Sequence, residues 1–233
     1  MTVKIDRRST LAATLFATAL MQGGDVMAQQ ESPQVYEPQA LPFAPASIPG
    51  LSERLLTSHW QNNYGGAVRR LNAINAEVRT LDMSTAQGFD INGIKREELI
   101  AANSMILHEV YFASIAPNGG RPGSALSRQI EHDFGSHDRW RAEFVGMGKA
   151  LGGGSGWVLL TWSPRLGRLA NQWAFDHSMT LADGHALIAL DMYEHAYHMD
   201  YGARAGDYVD AFMNVLNWET ADQRFGRAHR ERA

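Results

Sequence analysis

Near the end of the chain, an aspartate and a histidine follow directly on an apolar segment. Asp191 and His195 come after the run at residues 186–190, within the sequence D-M-Y-E-H-A-Y. The run predicts a buried strand, and a carboxylate at the end of a buried strand is costly unless it is paired or coordinated to a metal ion. The spacing D-x-x-x-H is common, and an ion pair or a surface hydrogen bond explains most matches to it when nothing else is known. The segment therefore indicates a charged site whose partner comes from elsewhere in the chain.

The composition limits what that partner can be. The 233 residues include no cysteine, so neither a disulfide framework nor a thiolate metal site is possible. The nine histidines make histidine, together with aspartate and glutamate, the candidate ligand type. With 21 basic and 25 acidic residues the formal charge is −4, and no basic block is present, which argues against a nucleic-acid-binding protein.

Residues 1–28 have the pattern of an export signal. Lys4, Arg7 and Arg8 form a basic start, residues 11–21 are apolar but too short to span a bilayer, and residues 26–28 (V-M-A) offer a cleavage site. The stretch R-R-S-T-L is similar to a twin-arginine signal, which exports folded proteins, and an ordinary secretory leader is the alternative. In both cases we expect a periplasmic or otherwise exported protein that is not held in a membrane once the leader is removed.

The rest of the chain divides into a helical part and a mixed part. Residues 29–50 carry five prolines and predict an extended arm. Two helices follow at residues 51–83 and 95–115, with a break at residues 88–93, and predict an antiparallel α-hairpin domain at 51–120. Residues 121–226 form the second domain, and residues 227–233 a tail. The second domain is predicted to contain helices at 124–134, 136–151 and 207–218 and strands at 157–162, 168–175 and 186–191.

Several segments in the same order resemble the iron/manganese superoxide dismutase family. Residues 191–218 resemble its C-terminal signature D-x-W-E-H-A-Y, residues 154–157 its G-S-G-W stretch, and residues 115–120 its L-x-P-N-G-G stretch. Residues 36–56 are similar to the proline-broken arm that leads into the family's first helix. The resemblance covers residues 36–225. It implies an α+β fold, in which an N-terminal antiparallel α-hairpin is followed by an α/β domain with a small three-stranded antiparallel sheet.

The resemblance also implies a metal site and a reaction. The family converts superoxide to oxygen and hydrogen peroxide at one iron or manganese ion. Four protein ligands hold that ion and leave one coordination position for solvent. Carried over position by position, those ligands are His59, His108, Asp191 and His195. Zinc would accept similar ligands but cannot change oxidation state. Iron and manganese share this ligand set, so the sequence does not separate them.

Two further residues carry implied roles at the same site. Glu194 matches the family's glutamate that hydrogen-bonds a ligand histidine across a homodimer interface. His177 aligns with the position that hydrogen-bonds the solvent ligand, where the family usually has glutamine. The resemblance thus implies a homodimer, although a tetramer is also compatible with it.

The chain departs from the family pattern around the substrate funnel. Ala67 stands where the family has its active-site tyrosine, and Tyr64, one helical step away, is the candidate for part of that role. Asn63 and His198 replace a histidine and a tyrosine that meet between subunits. Ala205 replaces a basic residue near the funnel mouth, which should weaken the steering of an anion.

These departures leave two alternatives beside a dismutase. One is a protein of the same fold that holds a metal or a partner with little or no turnover. The other is a metal-dependent oxidase or peroxidase with a wider funnel.

Overall fold

The computed structural model describes residues 34–230. The leader predicted at residues 1–28 lies outside the described residues, so that prediction stays untested. The described end of the arm, residues 34–44, has no helix or strand. It is fastened to the first helical segment because Tyr36 and Asn72 exchange two hydrogen bonds of 2.9 and 2.8 Å. The indole N–H of Trp60 also donates to the Gln39 carbonyl.

The first long helical segment contains a six-residue π-helical turn. Ser52 caps its start, since its hydroxyl oxygen accepts from the backbone N–H of Leu55 at 3.1 Å. Helix α1 (Glu53–Ser58) passes into the π turn His59–Tyr64, and helix α2 (Gly65–Thr80) continues from it. A π turn holds more residues than an α turn of the same height, and such turns are frequent at functional sites.

Helix α3 (Gly88–Ala113) is longer than the sequence predicts. The predicted break at residues 88–93 is wrong, because the helix begins at Gly88. A Cβ atom on Gly88 or Gly93 would meet nothing nearby, so this end of the helix is exposed. Each glycine costs a helix only about 1 kcal/mol. The first turn of the helix is closed by the Gln87 carbonyl, which accepts from the backbone N–H groups of Asp90 and Ile91.

The second part of the chain folds around a three-stranded antiparallel sheet. Its first two helices, α4 (Ser124–Phe134) and α5 (His137–Ala150), match the prediction closely, and Ser136 caps α5 as expected. The strands are β1 (Trp157–Ser163), β2 (Arg168–Ala174) and β3 (His185–Asp191), in the order β2-β1-β3. The central strand β1 is buried along its whole length. Helices α3 and α8 cover β3, and α5 packs on β1.

The end of the chain differs from the prediction. Instead of one helix at residues 207–218, the structure has α7 (Ala205–Asn214) and α8 (Trp218–Arg230), which follow the short α6 (His198–Tyr201). Between α7 and α8 the chain is extended, because Ala116 donates to the Val215 carbonyl and Asn217 donates to the Ser114 carbonyl. These bonds tie the break to the end of α3. Helix α8 runs on into the predicted tail.

The α+β class is confirmed, with a helical hairpin followed by a mixed domain around a small antiparallel sheet. Among the described residues, no helix combines the length and apolar character needed to cross a bilayer.

Candidate metal centre

Two of the predicted ligands come from the helical hairpin. His59 is the first residue of the π turn, and His108 lies in the second half of α3. Both residues are 1% exposed. The His59 ring packs against the rings of Tyr111 and Phe112, at centroid distances of 4.9 and 5.1 Å. The hairpin thus supplies two buried imidazoles, and aromatic side chains surround the His59 ring.

The other two predicted ligands come from the end of β3. Asp191 is the last residue of the strand and fully buried, and His195 lies in the 3₁₀ turn Glu194–Ala196. The backbone N–H of Tyr193 donates to Asp191 Oδ1 at 2.8 Å, which leaves Oδ2 for other partners. In the sheet Asp191 pairs with Trp157.

A glycine makes this pairing possible. Gly156, directly before β1, has φ +133°, and a Cβ atom there would collide with the carbonyl oxygen of Ala174. Its own carbonyl accepts from the N–H of Met192 at 2.9 Å. Gly156 therefore lets the ends of all three strands approach one another beside Asp191.

The four predicted ligands converge. Asp191 Oδ2 lies 3.1 Å from His59 Nε2, 3.2 Å from His195 Nε2 and 3.7 Å from His108 Nε2. One ligand atom from each residue lies within 4.8 Å of every other. Donor atoms about 2 Å from a shared metal ion would be about 3 to 4 Å apart, and the three distances from Asp191 Oδ2 lie in that range.

The hydrogen bonds of His108 distinguish a metal site from a cluster of ion pairs. Its Nδ1 lies 2.7 Å from the Ser104 carbonyl oxygen, which can only accept, so Nδ1 carries the proton. In the neutral ring Nε2 is then unprotonated and carries a lone pair. It is buried, without a hydrogen-bond partner among the described residues, and it lies near a carboxylate oxygen that has only lone pairs to offer. A cation between the two atoms resolves this arrangement.

Electrostatics supports the same conclusion. Burial lowers the pKa of His59, and it lowers that of His108 to about 3, so both rings are neutral near pH 7. Burial opposes ionisation of Asp191, but its contacts with His195 and His59 more than offset this and hold the pKa of the carboxyl far below its usual range. The neutral rings of His59 and His108 bring no positive charge to this buried carboxylate, which needs one. An iron or manganese ion would supply it.

His177 lies beside this cluster, on the segment after β2. Its ring is 6.3 Å from the His108 ring and 5.7 Å from the Trp157 ring. Burial lowers the pKa of His177 as well. Its Nε2 is buried and has no hydrogen-bond partner in the described part of the chain, whereas Nδ1 lies 3.3 Å from the hydroxyl oxygen of Tyr193. Its predicted role toward the solvent ligand stays a prediction.

Glu194 lies between Tyr193 and the predicted ligand His195, in the 3₁₀ turn after β3. The residue is exposed, and its carboxylate makes no hydrogen bond or ion pair with any described residue. The side chain of His195, next to it, is 27% exposed. The cross-subunit role of Glu194 is not tested by a single chain.

Tyr64 is buried but its hydroxyl group is engaged elsewhere. It donates to Glu109 Oε1 at 2.9 Å and accepts from the backbone N–H of Gln39 at 2.8 Å. Burial raises the pKa of Tyr64 to about 12. The Tyr64 ring lies 6.4 Å from the His108 ring, and Ala67 is a buried alanine. The catalytic role of Tyr64 stays a prediction, and its bonds make it a link between the arm and α3.

Sequence reasoning missed two groups that hold the site. The Ser104 carbonyl sets the tautomer of His108, and a backbone group gives no sequence signal. The hydroxyl group of Tyr193 did leave one, because the signature D-x-W-E-H-A-Y has tryptophan where this chain has tyrosine.

Comparisons with known proteins agree with this geometry. A family model described as iron/manganese superoxide dismutases, C-terminal domain, matches residues 122–224. A protein of Cupriavidus metallidurans named superoxide dismutase [Fe] is 63% identical over 84% of this chain and 100% of its own length. Superoxide dismutase [Mn] 1 of Halobacterium salinarum is 34% identical over 83% of this chain and 96% of its own. Superoxide dismutase [Fe] of Pyrobaculum aerophilum is 32% identical, over 81% and 90%.

Proposed function

Because the chain belongs to the iron/manganese superoxide dismutase family, we propose that it converts superoxide to oxygen and hydrogen peroxide at one iron or manganese ion per chain. The observation that carries this proposal is the convergence of three imidazoles on one buried carboxylate oxygen, with His108 Nε2 left without a partner. The relatives support it, since proteins named for iron and for manganese both match along nearly their whole length.

The residues divide the work of such a site. His59, His108 and His195 supply neutral donors, and Asp191 supplies the negative charge. When bound, iron or manganese supplies a one-electron redox couple and an open coordination position for a small anion. The aromatic rings around His59 and His108 exclude water from one side of the cluster, and His177 Nε2 remains available for a hydrogen bond beside it.

The test is to load the mature protein separately with iron, manganese and zinc and to measure metal content and superoxide consumption. We expect one ion per chain in each case. Superoxide should be consumed with iron, manganese or both, and not with zinc, which binds similar ligands but cannot cycle. Full occupancy by iron and by manganese with no consumption in either form would refute the proposal.

A second candidate is a protein that holds the metal without turnover. It is favoured by one observation: position 67 is a buried alanine, and the hydroxyl of nearby Tyr64 is bonded to Glu109 and Gln39. The same experiment separates the two candidates, because this one predicts full occupancy without dismutation. A metal-dependent oxidase would instead consume a bulkier reductant in the iron form.

We propose that the protein acts as a homodimer in which Glu194 reaches the His195 ring of the other subunit. The unpaired carboxylate of Glu194 and the partly exposed ring of His195 support this. The variant Glu194→Ala should lose both metal affinity and dimerisation, measured by metal analysis and light scattering. Glu77→Ala, an exposed glutamate on α2, is the control. A fully metallated dimer of Glu194→Ala would contradict the proposal.

We also propose that the protein is exported, on the support of the leader pattern alone. Expression of the full chain should yield a periplasmic protein, and its mass should be that of a chain that starts at Gln29. The double substitution Arg7→Lys and Arg8→Lys should block export if the protein uses a twin-arginine route. Export should continue if the protein uses the general secretory route. Retention of the unprocessed wild-type chain in the cytoplasm would contradict export.

A further inference from the structure

We propose that Tyr193 is a positioning residue of the centre, whose hydroxyl group donates to His177 Nδ1 and thereby leaves His177 Nε2 as an N–H donor toward the open coordination position. The inference deepens the proposed function and rests on it for its catalytic consequence. The hydrogen bond itself and the state of His177 do not depend on turnover.

The first support is the placement of the Tyr193 side chain. Its hydroxyl oxygen lies 3.3 Å from His177 Nδ1. Its ring stacks on the His177 ring at 4.9 Å with an angle of 13° between the planes, and on the His195 ring at 5.4 Å and 15°. Tyr193 therefore contacts one predicted ligand and the histidine outside the ligand set at the same time.

The second support is that both ends of this contact are fixed by the fold. The backbone N–H of Tyr193 is bonded to Asp191 Oδ1, so its Cα is held next to a ligand. The backbone carbonyl of His177 accepts from the side-chain amide of Asn103 at 2.6 Å, which anchors that segment to α3. The hydroxyl–imidazole bond joins two anchored points, and small movements of either would break it.

The direction of the bond follows from the available donors and acceptors. A neutral imidazole has one donor and one acceptor nitrogen, and burial keeps His177 neutral near pH 7. The Tyr193 hydroxyl has no other acceptor among the described residues, which favours donation to Nδ1. The proton of His177 then sits on Nε2, which is buried and unpaired.

This hydroxyl group is a feature of the present chain. The signature that the chain resembles has tryptophan at position 193, and an indole has an N–H group but no hydroxyl. Position 67, where the signature-bearing family has its tyrosine, is alanine here. Tyr193, after the end of β3, thus places a phenol group at the centre, whereas position 67 on α2 does not.

The direct test is ¹⁵N NMR of histidine side chains in the full mature chain loaded with zinc, which is diamagnetic. The wild type should show His177 in a single neutral tautomer with Nδ1 unprotonated. In Tyr193→Phe, which removes only the hydroxyl, both tautomers should be populated. In the control Tyr208→Phe, which removes another buried hydroxyl, the His177 signals should stay as in the wild type.

Two NMR results would overturn the inference. One is a protonated Nδ1 in the wild type, which needs no variant and so does not depend on Tyr193→Phe folding. The other is an unchanged His177 spectrum in folded Tyr193→Phe.

The catalytic consequence is tested in the iron-loaded protein. Tyr193→Phe should shift the reduction potential and lower kcat by about tenfold, the scale for lost outer hydrogen bonds, at unchanged iron content. An unchanged potential and an unchanged kcat would overturn the positioning role. A wild type that shows the expected tautomer in the zinc form but consumes no superoxide in either the iron or the manganese form would refute the proposed function instead, and leave the hydrogen bond standing.

Discussion

The two halves of the centre are built in different ways. His59 and His108, from the hairpin, are 1% exposed and surrounded by aromatic rings, whereas the side chain of His195, from the strand end, is 27% exposed. The hairpin half has no charged ligand, and Asp191 gives the strand-end half its negative charge. The hairpin half is therefore buried and uncharged, whereas the strand-end half carries the negative charge and is partly exposed to solvent. The difference shows that a redox site can separate its rigid side from its accessible side.

The variant Asp191→Asn should break the comparison most severely. It removes the charge that the hairpin half cannot replace, so metal affinity should fall by more than about 100-fold, the upper end for loss of an outer partner alone. Metal analysis after dialysis measures this. Asp207→Asn, whose carboxylate lies in an exposed contact with Arg204, is the control. Stoichiometric iron or manganese in Asp191→Asn would show that the carboxylate is not a ligand.

Removal of the metal should affect both halves, but unequally. At free metal a thousand times above Kd, binding stabilises the fold by about 4 kcal/mol, and chelation should lower Tm accordingly. Calorimetry with and without chelator measures the shift. Hydrogen exchange should then rise more in the turn Glu194–Ala196 than in α3 around His108, because helix packing holds α3 in place. Equal increases in both segments would contradict the view of the hairpin as a rigid wall.

Tyr64→Phe tests the hairpin half at its junction with the arm. The substitution leaves the Gln39 N–H and the Glu109 carboxylate without their partner, which should cost about 2 kcal/mol in the free energy of unfolding. Urea unfolding at pH 8 measures it. Tyr193→Phe is the matched strand-end variant, with one long bond to lose, and should cost less. A larger loss for Tyr193→Phe would reverse the comparison.

The smallest expected effect is the pH dependence of the difference in unfolding free energy between the wild type and Tyr64→Phe. The pKa of Tyr64 is raised to about 12 in the folded chain from an ordinary value of 10.0, so the folded state favours the protonated form. Its contribution to stability is complete below pH 10 and is lost as pH rises toward 12. The gap between wild type and Tyr64→Phe should narrow by about 1 kcal/mol by pH 11. A constant gap from pH 8 to pH 11 would contradict the raised pKa.

Local signals were sufficient for several elements of the fold. Helices α4 and α5 and the three strands lie within a residue or two of their predicted bounds, because Ser136 caps α5 and glycine or proline flanks the strands. The helix ends were less predictable. Residues 88–93 join α3 although all of them except Ile91 are exposed, and residues 215–217 leave the helix because they pair with the end of α3. The second outcome is decided by contacts that are distant in sequence.

The candidate site shows the same division. The spacing of Asp191 and His195 indicated a buried charged site, but His59 and His108 have no local signal, and only the family resemblance brought them into the set. Their convergence depends on how α1, α3 and β3 meet.

The sequence does carry a local signal for helix α8. Four apolar residues recur at helical spacing and are buried: Trp218, Ala221, Phe225 and Ala228.

The π turn at His59–Tyr64 has a consequence for how this chain can change. The helical rod before the turn is fastened at its start, where Ser52 donates two hydrogen bonds of 2.7 Å to Asp200, and the rod after it is fastened by Asn72 to the arm. Deleting one residue within the turn would remove the extra residue that a π turn accommodates, so the rods could keep both anchors only if the side chains of the turn changed orientation. Either the anchors at both ends or the orientation of His59 would then be lost. A change in the length of this helix would therefore disturb the centre even where all four predicted ligands stay in the sequence.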